Sequence, residues 1–289
     1  RLPEEIVFIE TDERMVTYIA CGKVNYQIVG MSSVEYPDLP SFEQTDRITL
    51  NAKILRDMIR QTVYAVSENT AKPIYTGSLY EIEDGVFKII AIDGYRMAIR
   101  SENVDSESKN RFVVPGKTQH EVLKLLTDDE ENTEIIIGQR HITFKIKNYR
   151  IISRLIEGTF IEYKSAIPKE TKTEVVINTR TIIDAVERMS LLNNDRIQSP
   201  VRCIFSDDEI KLSCTSAVGR ANDVISVPII GESVEIGFNN RYLLDALKNA
   251  DTDEIKLILN GSLTAMIVKP VKGDSYLSIV VPMRLANEN

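Results

Sequence analysis

The stretch ITLNAKILRDMIRQTVYAVS, Ile48–Ser67, decides the reading of this chain. It opens as a short strand-like run, passes the polar Asn51, and continues with apolar residues at three- and four-residue spacing. Ile54, Leu55, Met58, Ile59, Thr62, Val63 and Val66 form one helical stripe, which is expected to face a core. Lys53, Arg56 and Arg60 follow the same spacing on another face, with Asp57 and Gln61 beside them. The same plan recurs in FVVPGKTQHEVLKLL from Phe112, VVINTRTIIDAVERM from Val175 and VEIGFNNRYLLDALKNA from Val234. Starts at residues 48, 112, 175 and 234 define a unit of about sixty residues, repeated four times.

In the later helices the apolar positions are Val122, Leu123, Leu125 and Leu126, then Ile182, Ile183, Val186 and Met189, then Leu243, Leu244 and Leu247. Their outward faces carry Lys117 and Lys124, then Arg180, Asp184, Glu187 and Arg188, then Arg241, Asp245 and Lys248. Between helices, short runs such as SLYEIE, VFKIIAI, YRMAIR, CIFS and IKLSC alternate apolar with polar, as hairpin strands do, with turns at Asp84-Gly85 and Asp93-Gly94. Helices laid on antiparallel sheets make the class α+β.

Residues 5–30 and 134–168 share a plan of strands followed by an aromatic, Pro-ended exit, and Val24–Gly30 aligns with Lys147–Ser153 at an offset of 123. The expected division is a remnant over 1–45, a middle module over 46–168 and a C-terminal module over 169–289. SSVEYPDLP reads as a linker. Residues 1–45 read as the closing third of an earlier module, so an N-terminally truncated chain is expected; it opens with Arg1 rather than Met.

Composition narrows the classes. The 289 residues are 43% hydrophobic and 27% charged, as in a globular protein. No apolar run approaches the ~20 residues of a membrane span, and no signal peptide is visible. The net charge of −8 argues against non-specific nucleic-acid binding by the whole surface but not by a local basic stripe. Acidic runs at Asp128-Asp129-Glu130-Glu131 and Asp207-Asp208-Glu209 read as solvated turns. Cys21, Cys203 and Cys214 are odd in number and lack a CxxC, and His120 and His141 are the only histidines. A reducing compartment, the cytoplasm, is expected, with no metal and no cofactor.

No GxSxG, GxGxxG, Walker A or HExxH is present, and the carboxylates fall in turns or on solvated helix faces, so enzyme chemistry lacks support. Lys53, Arg56 and Arg60 read either as a solvated helix face with local ion pairs or as contacts to a phosphate backbone. Outward cations on repeated helices, which can point at one axis, raise the second reading, and the nearly neutral outward face of the third helix weakens it. The tail SYLSIVVPMRL, Ser275–Leu285, reads as a last core strand or as one wall of a groove for a peptide. A repeat-built protein-interaction module without DNA function is the competing reading.

The order IDGYRMAI (Ile92–Ile99), VVPGK (Val113–Lys117), IGFNNRYLLDAL (Ile236–Leu247) and the terminal VVPMRL resembles the bacterial β sliding clamp family, the processivity subunit of DNA polymerase III. The likeness extends through LIEGTFIEYKSAIP and across essentially the whole chain. The resemblance implies repeated clamp domains, each with antiparallel sheets outside and two helices lining a central channel. It implies a non-catalytic homodimeric ring around duplex DNA that tethers polymerase subunits, the clamp loader and repair proteins through short peptides. It further implies a peptide groove between the middle and C-terminal domains, walled by Tyr75, Ile92, Gly94, Tyr95, Arg96, Met97 and Ile161. The C-terminal side of that groove would comprise Asn239, Tyr242, Leu263, Ile279, Val280, Val281, Pro282, Met283, Arg284 and Leu285. Arg96 and Asn239 would set the peptide's direction. DNA contacts would fall on Lys53, Arg56, Arg60, Lys72, Lys117 and Arg180, with Asn69 on an adjoining loop. Departures from the family pattern are Tyr95 in place of a His, Ile92 in place of a Thr, Ser165 in place of an Arg, and four residues beyond Leu285. With much of the first domain's surface missing from the sequence, this chain is expected to keep its groove and to close a ring poorly.

Overall fold

Each striped stretch begins its helix at a residue suited to capping. Asn51 Oδ1 accepts the N–H of Lys53, Asn178 Oδ1 that of Thr181, and Asn239 Oδ1 those of Arg241 and Tyr242. Such caps contribute about 1 kcal/mol each. The second helix starts instead behind Pro115, without a side-chain cap. A computed structural model describes residues 2–36, 44–127, 131–192 and 199–285, which form two compact units, Arg1–Ser41 and Phe42–Asn289.

The first unit is an antiparallel meander of β1 (Phe8–Thr11), β2 (Val16–Cys21) and β3 (Val24–Val29). Cys21 is its one buried residue among those described. The β2–β3 turn pairs Cys21 with Val24, and the matching later hairpin pairs Ile146 with Tyr149. Val24 therefore corresponds to Tyr149, an offset of 125, and the expected 123 is corrected: a sequence match of two short strands slid by one side-chain period. Residues 37–43, which hold the rest of the expected linker, lie outside the described residues.

In the second unit the chain runs β4 (Gln44–Asn51), α1 (Ala52–Val63), β5 (Gly77–Glu83), β6 (Val86–Ile92), β7 (Arg96–Asn103), β8 (Asn110–Pro115), α2 (Gly116–Leu125), β9 (Asn132–Gly138), β10 (His141–Ile146) and β11 (Tyr149–Arg154). It continues with β12 (Thr173–Asn178), α3 (Thr179–Ser190), β13 (Val201–Ser206), β14 (Glu209–Ser216), β15 (Gly219–Ser226), β16 (Ile229–Gly231), β17 (Val234–Phe238), α4 (Asn240–Lys248), β18 (Glu254–Leu259), β19 (Met266–Pro270) and β20 (Tyr276–Val280). The strand that leads into each helix pairs with the triplet of the neighbouring repeat: β4 with β9, β8 with β5, β12 with β18, β17 with β13. Repeats are thus interlocked in pairs, and neither member of a pair has a complete sheet alone.

Among the described residues of this unit, three sheets result. Two have four strands, in the orders β11-β10-β9-β4 and β15-β14-β13-β17. The third runs through nine strands, β16-β12-β18-β19-β20-β7-β6-β5-β8, and crosses the expected boundary at residue 168 through the β7–β20 pairing. Helices pack on one of its faces, α3 over β12, α4 over β20, α1 over β5 to β7 and α2 over β5 and β8. Because strand side chains alternate, Tyr80, Ile82, Phe87, Val175, Leu257 and Tyr276 meet the helices, while Leu79, Ile90, Met97, Ile267 and Ile279 face away. That outer face is covered by Phe160, Tyr163 and Ile167. The segment read as an exit loop is therefore partly core.

Two further expectations are modified. Gln61, read as outward, is 6% exposed: its Nε2 donates to the Asn249 carbonyl and its Oε1 accepts from Arg100 Nε. Of the acidic run at 128–131, only Glu131 lies within the described residues. The Asp207-Asp208 turn is exposed, with φ near +55° at both residues, and Asp208 also binds the amides of Val227 and Ile229.

Candidate partner groove and nucleic-acid interface

The β6–β7 turn builds the first wall. Asp93 Oδ1 accepts the N–H groups of Tyr95 and Arg96 at 2.8 and 3.0 Å, and Gly94 supplies the left-handed position at φ +96°. Asp93 Oδ2 holds Arg96 Nε at 2.9 Å, while Arg96 Nη1 donates to the Asp245 carboxylate on α4. The guanidinium lies 4.5 Å from the Tyr242 ring centroid, and Tyr242 stacks on Tyr95 at 5.8 Å. Arg96 is only 6% exposed, with Nε and Nη1 engaged by Asp93 and Asp245. Tyr95, at 61% exposure, forms the open lip.

Tyr75, Ile92, Gly94, Tyr95, Arg96, Ile161 and Tyr242 line one cavity of about 530 Å³. Gly237, Leu263, Met283, Arg284 and Leu285 line a second of about 430 Å³. Between them, Val281 N donates to Tyr95 O at 2.9 Å and Met283 N to Gly237 O at 2.8 Å, which pins the tail to both modules. Pro282 is half-buried in the same run. Met97, Ile279 and Val280 lie inside the nine-stranded sheet, beneath the surface. Asn239 Oδ1 is engaged as the α4 cap. Sequence reasoning missed Val66, Ser67, Glu68, Asp93 and Arg241 on the first cavity, and Asp245 behind it. Asp245 follows Tyr242 by three residues and so shares its helix face, the one signal that could have found it.

The cations divide differently. Lys53, Lys117 and Arg180 each occupy the second position of their helix, as does Arg241 on α4. A cation there opposes the helix dipole, so its fourfold recurrence is not explained by helix stability. Arg56 Nη1 reaches the Leu126 carbonyl at 3.4 Å, Arg60 the Asp251 carboxylate at 2.5 Å, and Arg180 that of Asp184 at 2.8 Å. Asn69 and Lys72 stand apart from the helices and line the first cavity.

Chemistry for bond-making is thin. Burial pushes the Cys203 thiol up to about 12 and raises Cys214, which disfavours the thiolate. His120 Nδ1 is 2.8 Å from the Gly116 carbonyl. Among the described residues no three His, Cys, Asp or Glu side chains are grouped to hold a metal ion, and no helix is long and apolar enough to cross a membrane.

Comparison with known proteins gives one answer. Residues 49–162 match the family described as DNA polymerase III beta subunit, central domain, and residues 164–284 its C-terminal domain. The beta sliding clamps of Halalkalibacterium halodurans and Bacillus subtilis are each 32% identical over 98% of this chain, which spans 77% and 76% of their lengths. A crystal structure of the Bacillus subtilis DNA polymerase sliding clamp superposes with a TM-score of 0.95 at 31% identity, over 99% of this chain and 77% of that one. A putative DNA polymerase III beta subunit from Eubacterium rectale gives 0.93 at 30% identity, over 98% of this chain and 77% of that one. With family matches over both modules and a fold shared along nearly its whole length, the chain belongs to the DNA polymerase III beta subunit family, the beta sliding clamps.

Proposed function

We propose that the chain acts as a non-catalytic processivity clamp whose helix row faces duplex DNA and whose groove binds short linear peptides of polymerase subunits, the clamp loader and repair proteins. Its division into a remnant (1–45), a middle domain (46–168) and a C-terminal domain (169–289) belongs to this reading, as does action in the cytoplasm. A ring with a second copy is the assembly in which the helix row would surround DNA. The observation that carries the groove is the first cavity, since its lining comes from both modules: Tyr75, Ile92 and Tyr95 from one, Tyr242 from the other. An open slot with an aromatic lip and an apolar floor suits a Leu- or Phe-bearing peptide in extended form. Arg96 joins the two modules through Asp93 and Asp245 and also lines the cavity, so it shares the peptide's polar contacts with backbone groups, Asn69 and Lys72.

A fluorescent peptide carrying Gln, Leu and Phe, titrated against the full chain and against a variant lacking Met283–Asn289, tests this. Binding is expected with a Kd in the micromolar range, about −8 kcal/mol, and should be lost in the shortened variant. Absence of binding by a folded full chain would overturn the groove assignment.

A further inference from the structure

Some cations of the helix row already carry an acidic partner from a neighbouring element. The α1 and α2 helices pack together, as do α3 and α4, and the C-terminal ends of α1 and α4 meet where Gln61 bonds the Asn249 carbonyl. The row therefore reads α2-α1-α4-α3. On it, Arg60 of α1 is held at 2.5 Å by Asp251, in the turn after α4, with Asp57 of its own helix farther off at 3.6 Å, and Lys248 of α4 is held at 2.6 Å by Glu187 of α3. These two pairs are not the i,i+3 or i,i+4 contacts that any solvated helix makes, since each joins different elements. Lys53 and Lys117 take no ion pair among the described residues. The hydrogen bond from Lys248 lowers the Glu187 carboxyl below its ordinary range, as an ion pair does.

A carboxylate offers a guanidinium or ammonium the same negative charge and oxygen acceptors that a phosphate does. On the reading that this row faces DNA, we propose that Asp251 and Glu187 occupy Arg60 and Lys248 in place of phosphate, leaving Lys53 and Lys117 as the cations that meet the backbone first. A free cation that neutralises a phosphate releases ~0.9 of a condensed counterion. A cation that must leave a carboxylate gains less, because it exchanges one anionic partner for another and strands an acid beside the duplex. The result is a surface that touches the backbone at few points and holds no fixed register, which a clamp that must travel along DNA requires. The overall charge of −8 fits the same logic, as the row need not be strongly basic.

The test is binding of a short fluorescein-labelled duplex to the full chain across a potassium chloride series. Asp251→Asn with Glu187→Gln is expected to tighten binding about fivefold at low salt and to steepen the log–log salt slope by about two. The share of the gain due to Asp251→Asn should vanish when Arg60→Ala is added. Lys53→Ala with Lys117→Ala should weaken binding. Glu187→Gln alone, at an exposed pair within the C-terminal module, serves if the Asp251 variant melts early. Unchanged affinity and slope in the folded acid variants, with Lys53→Ala and Lys117→Ala still weakening binding, would overturn this proposal and leave the DNA-facing row intact. If the lysine variants also bind as the parent does, or no protein binds at any salt, the DNA-facing reading fails with it.

Discussion

Tyr64 shows how one hydroxyl ties the two modules. It closes α1, and its oxygen lies 3.0 Å from the Tyr276 hydroxyl and 2.8 Å from Ser278 Oγ on β20. Burial pushes the Tyr64 phenol up to about 12 and raises Tyr276 well above its ordinary value. A phenol whose folded pKa is raised contributes stability that is complete below its unfolded pKa, near 10, and is lost as pH climbs through the folded one. The urea midpoint should therefore fall between pH 10 and about 12, with Cys203 adding to the loss from about pH 9 upward. Tyr64→Phe should cost about 1 kcal/mol at neutral pH and reduce the alkaline loss. Urea unfolding followed by circular dichroism at neutral and alkaline pH checks both; a midpoint that holds steady through the alkaline range would contradict the burial of this cluster.

Gly237 on β17 is where an element meets the tail. A methyl group built there would stand 2.5 Å from Leu285 Cδ2 and 3.1 Å from the Met283 carbonyl. The backbone itself tolerates alanine, so Gly237→Ala should leave global stability within about 1 kcal/mol while lifting Met283–Leu285 off the strand. Peptide affinity should then drop about tenfold, or 1.4 kcal/mol, and the amide of Met283 should lose exchange protection. Unaltered affinity with a displaced tail would show that the tail is no part of the groove. The elements themselves were legible, because a stripe such as Leu55, Met58, Ile59 and Val63 is written in local spacing. What local spacing does not hold was missed. Gln61 reads as solvated until Asn249 and Arg100 arrive from distant strands and helices. The Asp245 partner of Arg96 lies 149 residues away and is equally absent from the local pattern. The pairing of β4 with β9, rather than with its own triplet, leaves no trace in either strand's pattern. Of the groove, the β6–β7 turn was legible from its Asp-Gly, and the seven cavity-lining residues followed from family likeness rather than from chemistry.

At the scale of the molecule, the nine-stranded sheet decides what unfolds together. Five residue pairs, Tyr276 with Arg100 through Val280 with Arg96, join β20 to β7 inside a continuous ladder. Arg60 with Asp251, Gln61 with Asn249 and Arg96 with Asp245 cross the same seam on the helix side. Opening that seam would strand Ser278 and the backbone groups of two central strands, at a cost of about 1–3 kcal/mol for each buried polar group left unmade. The middle and C-terminal modules should therefore open as one cooperative unit even though they are separate repeats. The first unit is built otherwise: three strands, one buried residue among those described, and Phe8, Ile9 and Val29 at 71%, 67% and 80% exposure. A three-stranded sheet with so little burial is marginal on its own. Native-state hydrogen exchange in a urea series gives the comparison. Amides of β7 and β20 should converge on one opening free energy, and those of β1 to β3 should exchange far faster at every urea concentration. Were β20 to open at lower urea than β7, the seam would be an energetic boundary, and the interlocked sheet would not be what joins the two modules.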